Sequence, residues 1–276
     1  MHHAVYDGWA MRMMFETLHK VYWEMEVAPM KPFANFVDYV ININPVDADN
    51  YWSTYLEGAK RSVFPPPLPV VMGSKSHKEN TMPIIKTLSF PTSRDTSITK
   101  ATLVRATWAK ILARHSNSTD ITFGLTVSGC NAPVSGLDLM PGPSIATVPV
   151  RVRFDNVQQN VRDFLQDLQD QAHDTITYEQ YGLSNISKSS SDAKAACDFS
   201  SLIVIQPLER YGHGSESQPV IEFSEDTMIH TTESLAHNYF NYPLVLICAM
   251  NSDNICLQFY YKASILSHEY VVAISN

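Results

Sequence analysis

The sequence predicts an α/β fold, a sandwich in which helices cover a sheet of mixed strands. Three observations predict it. Segments of strand length alternate with segments of helix length after residue 83. Residues 146–154 alternate between apolar and polar side chains, as a half-buried strand does. Residues 9–23 carry apolar side chains at helical spacing.

Two helices are predicted before residue 60. The first spans 9–23, and its apolar stripe consists of Trp9, Met13, Met14, Thr17, Leu18, Val21 and Tyr22. The second spans about 47–56, with Gly58 as a stop signal. The proline-rich run FPPPLP at 64–69 lacks amide donors and holds an extended backbone, and the stretch to Asn80 is polar. A boundary between two lobes is therefore expected here, separating 1–68 from 69–276.

The remaining elements follow the same reasoning. Helices are predicted over 97–114, after a cap at Asp155 or Asn156, and from about Ser267. The serine-rich segment 187–194 is predicted to be a solvated loop. Strands are predicted over 84–90, 121–127, 146–154, 202–205, 220–223, 244–250 and 255–261.

Composition excludes several classes of protein. Among 276 residues, 45% are hydrophobic and 17% charged, values that fit a folded globular chain. A net charge of -8 repels a phosphate backbone, so no nucleic acid partner is expected. The longest apolar run is strand-sized and no signal-peptide pattern begins the chain, so we expect no membrane partner and a cytoplasmic location. The four cysteines form no CxxC pair and are expected to be reduced thiols.

The sharpest local signal is HHAVYDG at residues 2–8. Neighbouring side chains point in opposite directions in an extended segment, so one histidine can face a cavity while the other supports the loop. Imidazole handles protons near neutral pH. Asp7 can hold the turn through hydrogen bonds or a cation partner, and Gly8 permits a tight entry into the helix.

Less specific interpretations of the histidine pair remain open: two surface histidines, or the remnant of a tag. A metal site is disfavoured, because the other histidines lack HExxH or a similar ligand spacing. The chain also lacks a GxSxG elbow, a phosphate-binding loop and a dinucleotide fingerprint. Chemistry without a bound metal or cofactor, or no chemistry, is the expectation.

The motif HHAVYDGW resembles the HHxxxDG motif of nonribosomal peptide synthetase condensation domains of the fungal type, which have a chloramphenicol acetyltransferase-like fold. Further segments resemble the same family in the same order and extend the resemblance over nearly the whole chain. They are FANFVDYV (33–40), YWSTYLEG (51–58), FPPPLP (64–69), TFGLTVSGCNAPVSGLDLMPGPSIATVPVRV (122–152), TYEQYGL (177–183) and CDFSSLIVIQP (197–207).

The resemblance implies a reaction that joins an upstream acyl or peptidyl thioester to the amine of a downstream aminoacyl thioester. Both substrates would be carried on the phosphopantetheine arms of peptidyl carrier proteins from adjacent synthetase modules, with no cofactor bound by the domain itself. His3 would be the catalytic residue, as a base or as a group that orients the amine. His2, Asp7 and Gly8 would support the motif, and Ser128 and Gly129 would be candidates for the substrate tunnel.

The sequence departs from the family pattern in two places. Only Met1 precedes the motif, so residues 1–68 are interpreted as the remnant of an N-terminally truncated first lobe and 69–276 as the second lobe. A missing first-lobe segment is therefore a possible partner, and its absence is expected to expose an apolar patch. Cys130 stands where the family usually has an arginine; either it packs within its loop, or the active site loses a fixed positive charge.

Three other functions stay open at this point. The chain could be an inactive fragment or a module that only docks carrier proteins. It could be an acyl-CoA-dependent acyltransferase of the same fold. Terminal cyclising domains form a third variant, but they typically carry SHxxxD, whereas His2 and Gly8 keep the chain-extending form.

Overall fold

A computed structural model describes residues 5–62, 64, 83–89, 97–156, 158–207, 242–250 and 253–276. Several predictions lie outside these residues: the histidine pair His2 and His3, most of the proline connector, the lobe boundary at 68/69, the strand at 220–223, and the last residue of the strand at 84–90. They stay predictions.

Helices and strands alternate after residue 83, as the sequence predicts. The helices are α1 (Gly8–Tyr22), α2 (Ala34–Ile41), α3 (Pro45–Tyr55), α4 (Lys100–Ser116), α5 (Val161–Thr175), α6 (Leu183–Ile186), α7 (Ser191–Cys197) and α8 (His268–Ile274), with 3₁₀ turns at Leu137–Leu139 and Ile176–Tyr181. The strands are β1 (Ile84–Ser89), β2 (Asp120–Val127), β3 (Ala146–Arg153), β4 (Ser201–Pro207), β5 (Leu244–Met250) and β6 (Asn254–Tyr261).

The described strands form one mixed sheet in the order β1-β6-β5-β4-β2-β3. Strand β4 is parallel to both β2 and β5, whereas the β2–β3, β5–β6 and β1–β6 pairs are antiparallel. Antiparallel β2 and β3 place the loop between them at one end of the sheet, and this loop (residues 128–145) is defined here as the β2–β3 loop. It contributes to the candidate site.

Alternating side chains put apolar clusters on the two faces of the sheet. On β4 and β5, Ile203 and Leu246 belong to the main core, whereas Leu202 and Val245 belong to a smaller cluster with Phe199. Helices α3, α4, α5 and α8 cover the main core. Its largest fully buried side chains include Trp52, Leu56, Phe64, Trp108, Leu112 and Phe123.

Helix α3 packs into the same core as the sheet, although it precedes the predicted lobe boundary. Trp52 is fully buried there, and its indole Nε1 donates to the carbonyl of Tyr178 at 3.3 Å. Arg151 on β3 joins this helix to the sheet as well. Its guanidinium bonds both oxygens of Asp120, at 2.9 and 2.7 Å, and donates to the carbonyl of Glu57.

Two local predictions are wrong, and both errors concern helix caps. The cap of α5 is Asn160, not Asp155 or Asn156; its side chain accepts from the amide of Asp163. Helix α7 begins inside the segment predicted to be a loop, because the Ser190 side chain caps it by accepting from the amide of Ala193. The polar residues predicted to form a solvated loop instead include the N-cap of a helix, whose Ala193 and Ala196 are buried.

Helix α1 buries only Ala10. The apolar stripe predicted for this helix is largely exposed, and the exposed surface continues past the end of the helix. We define the apolar patch as Met14, Phe15, Leu18, Val21, Tyr22 and Trp23, which are between 38% and 75% exposed. Exposed apolar side chains are thus present on α1, whereas their expected cause, a missing first-lobe segment, stays a prediction. Among the described residues, no helix has the length and hydropathy to cross a membrane.

Candidate active site

Asp7 fixes the start of α1 and links it to the second half of the chain. Its Oδ1 accepts from the amide of Ala10 at 2.8 Å, which makes it the N-cap of the helix. Its Oδ2 accepts from the amide of Ser144 at 2.9 Å and from the Ser144 hydroxyl at 3.4 Å. The carboxylate is 1% exposed, so backbone and hydroxyl donors satisfy a buried charge.

Ser144 lies at the end of the β2–β3 loop, one residue after Pro143. Besides meeting Asp7, its hydroxyl donates to the carbonyl of Ser128 at 2.8 Å. Ser144 thereby ties both ends of the β2–β3 loop together beside the start of α1. The predicted tunnel candidates Ser128 and Gly129 are adjacent to this contact, whereas their role in a tunnel stays a prediction.

Gly129 is required by its surroundings. Its φ is +67°, and a Cβ there would lie 2.2 Å from the Ser144 carbonyl oxygen and 2.9 Å from Nε2 of Gln180. Gln180 Nε2 in turn donates to that same carbonyl at 3.1 Å. The backbone of Ser144 is thus enclosed by Asp7 on one side and by Gly129 and Gln180 on the other.

Cys130 does not take part in this contact. It is exposed, and its described hydrogen bonds go to Ser128 in the same loop. The described donors to Asp7 are neutral groups of Ala10 and Ser144, so the carboxylate is held by hydrogen bonds rather than by a cation. This geometry fits the interpretation that Cys130 packs within its loop, because its described hydrogen bonds stay inside that loop.

The rest of the motif surrounds Asp7. Gly8 is the first residue of α1 and is exposed, and Tyr6 is 7% exposed. His2 and His3 lie outside the described residues. Of the six predicted site residues, the structure therefore gathers Asp7, Gly8, Ser128 and Gly129 around one contact.

Glu179 is a buried carboxyl next to Gln180 in the chain. It is 4% exposed, and its Oε1 has no hydrogen-bond partner among the residues that the structure describes. Burial raises the pKa of Glu179 to about 7, against a smaller lowering by a hydrogen bond with the Gln180 side chain. It lines a cavity of about 40 Å³ together with Arg105, Tyr55 and Gln171.

A larger depression lies elsewhere and does not include the motif. It has about 700 Å³ between α3 and α5, and its lining includes Asp47, Asp167, Asp170 and Asp174 together with Tyr51, Tyr55 and Tyr178. Its acidic lining contains none of the predicted site residues. The volume of a depression therefore does not locate the motif in this protein. The candidate site is instead defined by the hydrogen bonds of Asp7.

Sequence reasoning missed Ser144 and Gln180 as members of the site. Ser144 and Asp7 are 137 positions apart, and no local pattern pairs them. The usable signal was that both the loop and the TYEQYGL segment resembled stretches of the same family. That signal marks the segments and leaves their contacts undefined.

Comparison with known proteins assigns the family. A family model described as Condensation domain matches residues 1–275. The chain is 37% identical over 279 residues to nonribosomal peptide synthetase apmB of Penicillium brevicompactum, covering 99% of this chain and 11% of that protein. It is 33% identical over 273 residues to nonribosomal peptide synthetase otaB of Aspergillus niger, covering 98% and 14% respectively.

Solved structures share the fold. One, described as the crystal structure of CT, matches with a TM-score of 0.73 at 20% identity and covers all of this chain and 59% of the other. The starter condensation domain of rhizomide synthetase RzmA matches with a TM-score of 0.64 at 14% identity, covering 99% and 62%. The chain thus spans about a tenth to a seventh of these curated relatives and about three fifths of these solved chains. The chain belongs to the condensation-domain family of nonribosomal peptide synthetases and has its chloramphenicol acetyltransferase-like fold.

Proposed function

We propose that this chain supplies the HHxxxDG motif and the second lobe of a condensation domain that forms an amide bond between two carrier-bound thioesters. The donor is an acyl or peptidyl thioester and the acceptor an aminoacyl thioester. His3 is the catalytic residue in this proposal, with His2, Asp7 and Gly8 supporting the motif.

The observation that carries the proposal is the contact between Asp7 and Ser144. It joins the acidic residue of the motif to the β2–β3 loop, and each oxygen of the buried carboxylate accepts a backbone hydrogen bond. A pair of unrelated surface histidines needs no such anchor four residues downstream. Such an anchor is needed when the backbone of a motif must hold a catalytic side chain in a fixed position.

The proposed step is aminolysis. The acceptor nitrogen attacks the thioester carbonyl carbon, a C–N bond forms, the C–S bond breaks, and the donor's carrier leaves as a free thiol. A protonated amine cannot attack, so the amine first gives up one proton to solvent. The neutral amine loses a second proton as the C–N bond forms, and this proton ends on the departing sulfur. His3 takes or shares the amine proton, and holding both tethered substrates together removes much of the entropic barrier.

The proposed partners follow from this step. Both substrates are carried on phosphopantetheine arms, so the domain needs two peptidyl carrier proteins and no resident cofactor. Ser128 and Gly129 are proposed to line the tunnel through which an arm reaches His3. A first-lobe segment is proposed to cover the apolar patch on α1, because exposed apolar surface of this extent normally meets another surface.

The test supplies donor and acceptor thioesters on carrier proteins and detects the peptide by mass spectrometry. The chain is compared with a form extended by a first-lobe segment of the family, each with and without His3→Ala. Product that depends on His3 supports the proposal. Product from the extended form alone assigns this chain the role of an inactive fragment.

Two other outcomes would overturn the proposal. Binding of carrier protein without product from either form indicates a docking module. Turnover of an acyl-CoA with a free amine or alcohol, in the absence of carrier protein, indicates a coenzyme A-dependent acyltransferase. Carrier-borne and coenzyme A-borne donors are therefore assayed side by side.

A further inference from the structure

We infer that Gln180 is a positioning residue for the condensation reaction: it holds Ser144 so that the Ser144 amide stays on Asp7 and keeps the histidine motif in place. The inference rests on the proposed function, since it concerns the same site. It adds a residue outside the motif and outside the β2–β3 loop.

The geometry consists of two hydrogen bonds to one residue. The Gln180 amide donates to the carbonyl of Ser144 at 3.1 Å, and the amide of Ser144 donates to Asp7 at 2.9 Å. Gln180 is 8% exposed and Ser144 is 6% exposed, so solvent does not compete for either bond. A shift of Ser144 on the side of Gln180 is therefore transmitted to the carboxylate that caps α1.

Gln180 is itself held by a rigid element. It lies near the end of the 3₁₀ turn Ile176–Tyr181, which follows α5 directly. The carbonyl of Tyr178 in the same turn accepts from the buried indole of Trp52. The turn is thus fixed to the main core, and Gln180 projects from it toward the site.

Close packing around Ser144 leaves little room for another arrangement. Gly129 approaches so closely that an added Cβ would meet both the Ser144 carbonyl and the Gln180 amide. The Ser144 hydroxyl is occupied by the carbonyl of Ser128. If the Gln180 donor is lost, a buried carbonyl loses a partner and the loop is expected to move rather than to find another donor.

The chain offers a matched control in Gln171. Its side-chain amide also donates to a backbone carbonyl, that of Arg151, at 3.0 Å and in a partly buried place. No described hydrogen bond connects that carbonyl to Asp7. Gln171→Met and Gln180→Met each remove a side-chain donor from a backbone carbonyl in the same half of the chain, and only the second acts on the motif. Gln180→Met also removes the hydrogen bond to the Glu179 carboxyl, so Glu179→Gln is a further control, which leaves the bond to Ser144 in place and is expected to retain kcat within threefold.

The activity test measures amide formation by the first-lobe-extended form with carrier-bound substrates. Gln180→Met is expected to lower kcat about tenfold or more, with the KM for the acceptor carrier protein changed less than threefold. Gln171→Met is expected to retain kcat within threefold. Equal kcat for the two variants would overturn the inference, whereas absence of product from the unsubstituted protein would instead overturn the proposed function.

A second measurement needs no activity. Amide hydrogen exchange in the 276-residue chain is expected to quicken at Ala10 and Ser144 in Gln180→Met and to stay unchanged there in Gln171→Met. Unchanged exchange at both amides in both variants counts against the inference.

A second variant covers the case in which Gln180→Met does not fold. Gln180→Glu keeps the shape of the side chain, and its carboxyl donates only when it is protonated. Glu179 hydrogen-bonds to the Gln180 side chain and has a pKa of about 7, so Gln180→Glu is measured in a Glu179→Gln background. Its kcat relative to Glu179→Gln alone is expected to be higher at pH 6 than at pH 8. A pH-independent ratio would count against the inference.

Discussion

Asp7 accepts hydrogen bonds from both its own helix and Ser144, so one carboxylate caps α1 and joins it to the β2–β3 loop. Oδ1 caps the helix, and Oδ2 accepts from Ser144. Because the group is buried, each lost donor leaves an unsatisfied charge acceptor, and substitution at Asp7 affects more than a helix cap.

Substitution of Asp7 tests this double role. Asp7→Ala is expected to lower the free energy of unfolding by about 2–4 kcal/mol, because it removes a cap and leaves the Ser144 amide unpaired in a buried place. Asn160 caps α5 by accepting from the Asp163 amide, and its Nδ2 donates to the exposed Asp163 carboxylate, so both bonds stay within one helix start. Asn160→Ala is therefore the control and is expected to cost about 1 kcal/mol. Urea unfolding measures both, and equal costs would show that the link to Ser144 adds nothing.

Gly58 and Gly129 both have positive φ, but only Gly129 is crowded, so alanine substitutions at the two positions distinguish backbone strain from steric crowding. Gly58 has φ +73°, and the nearest atom to an added Cβ is 3.9 Å away, whereas at Gly129 it is 2.2 Å away. Gly58→Ala is expected to cost about 1 kcal/mol from strain alone. Gly129→Ala is expected to cost about 1–3 kcal/mol more, since Ser144 must move. Thermal unfolding of both variants gives the difference, and similar melting temperatures would contradict the described packing.

The ion pair of Arg151 is expected to matter because it is bidentate and the arginine is buried, with the Asp120 side chain 34% exposed. Its hydrogen bonds to Asp120 are the main cause that raises the pKa of Arg151. Arg151→Lys keeps the charge but loses the paired geometry and the bond to the Glu57 carbonyl, so unfolding is expected to become easier by about 2–3 kcal/mol. The exposed pair of Arg61 and Asp198 is the control, and Arg61→Lys is expected to change stability by less than about 0.5 kcal/mol.

Glu179 predicts a dependence of stability on pH. Its pKa is about 7 in the fold against an ordinary value of 4.5, so the folded state holds a proton that the unfolded chain releases. The contribution of this group therefore falls as pH rises from about 4.5 to about 7 and is constant above that. Facing groups from other elements are Tyr39, whose pKa is raised by burial and, to a smaller extent, by the Glu179 carboxylate, and Arg105 and Tyr55, which share its cavity.

Glu179→Gln removes this titration. The change that it makes in the free energy of unfolding is expected to be about 2 kcal/mol more favourable at pH 8 than at pH 5. Unfolding in urea at the two pH values measures the difference. Glu269 is the control: it is exposed and its pKa is lowered, so Glu269→Gln is expected not to produce this gain. An identical pH profile for Glu179→Gln and the unsubstituted protein would show that the carboxyl is solvated.

The apolar patch predicts self-association of the 276-residue chain. Leu18 and Val21 are 63% and 60% exposed on one stretch of α1, and their joint replacement by Gln is expected to reduce association at micromolar concentration. Val161, 73% exposed at the start of α5 and outside the patch, provides the control variant Val161→Gln. Light scattering during size-exclusion chromatography distinguishes them. Equal association of both variants would place the contact elsewhere.

Much of the fold follows from periodicity. The alternation on residues 146–154 predicts β3 to within one residue, and the helical stripe beginning at Trp9 predicts α1. Both signals are local consequences of the two side-chain repeats. The cap of α7 was missed because serine and aspartate occur in loops and at helix starts alike, and only the burial of Ala193 and Ala196 separates the two cases.

The candidate site could be predicted only in part. Asp7 was expected to hold the turn, and it does, but its partner could not be read from the chain. Ser144 acts through its backbone amide, a group that every residue except proline carries, so its side chain gives no signal. Gln180 likewise looks like an ordinary polar residue until the sheet brings its turn beside the β2–β3 loop.

The pairing of β1 with β6 has a consequence for synthesis on the ribosome. Ile84 lies opposite Phe259, and β6 separates β1 from the rest of the described sheet. At 5–20 residues per second, β1 waits roughly ten to thirty seconds for its partner after it has been made. During that interval it is an unpaired strand, and Lys86 in its middle provides a charge of the kind that discourages pairing with a neighbouring nascent chain.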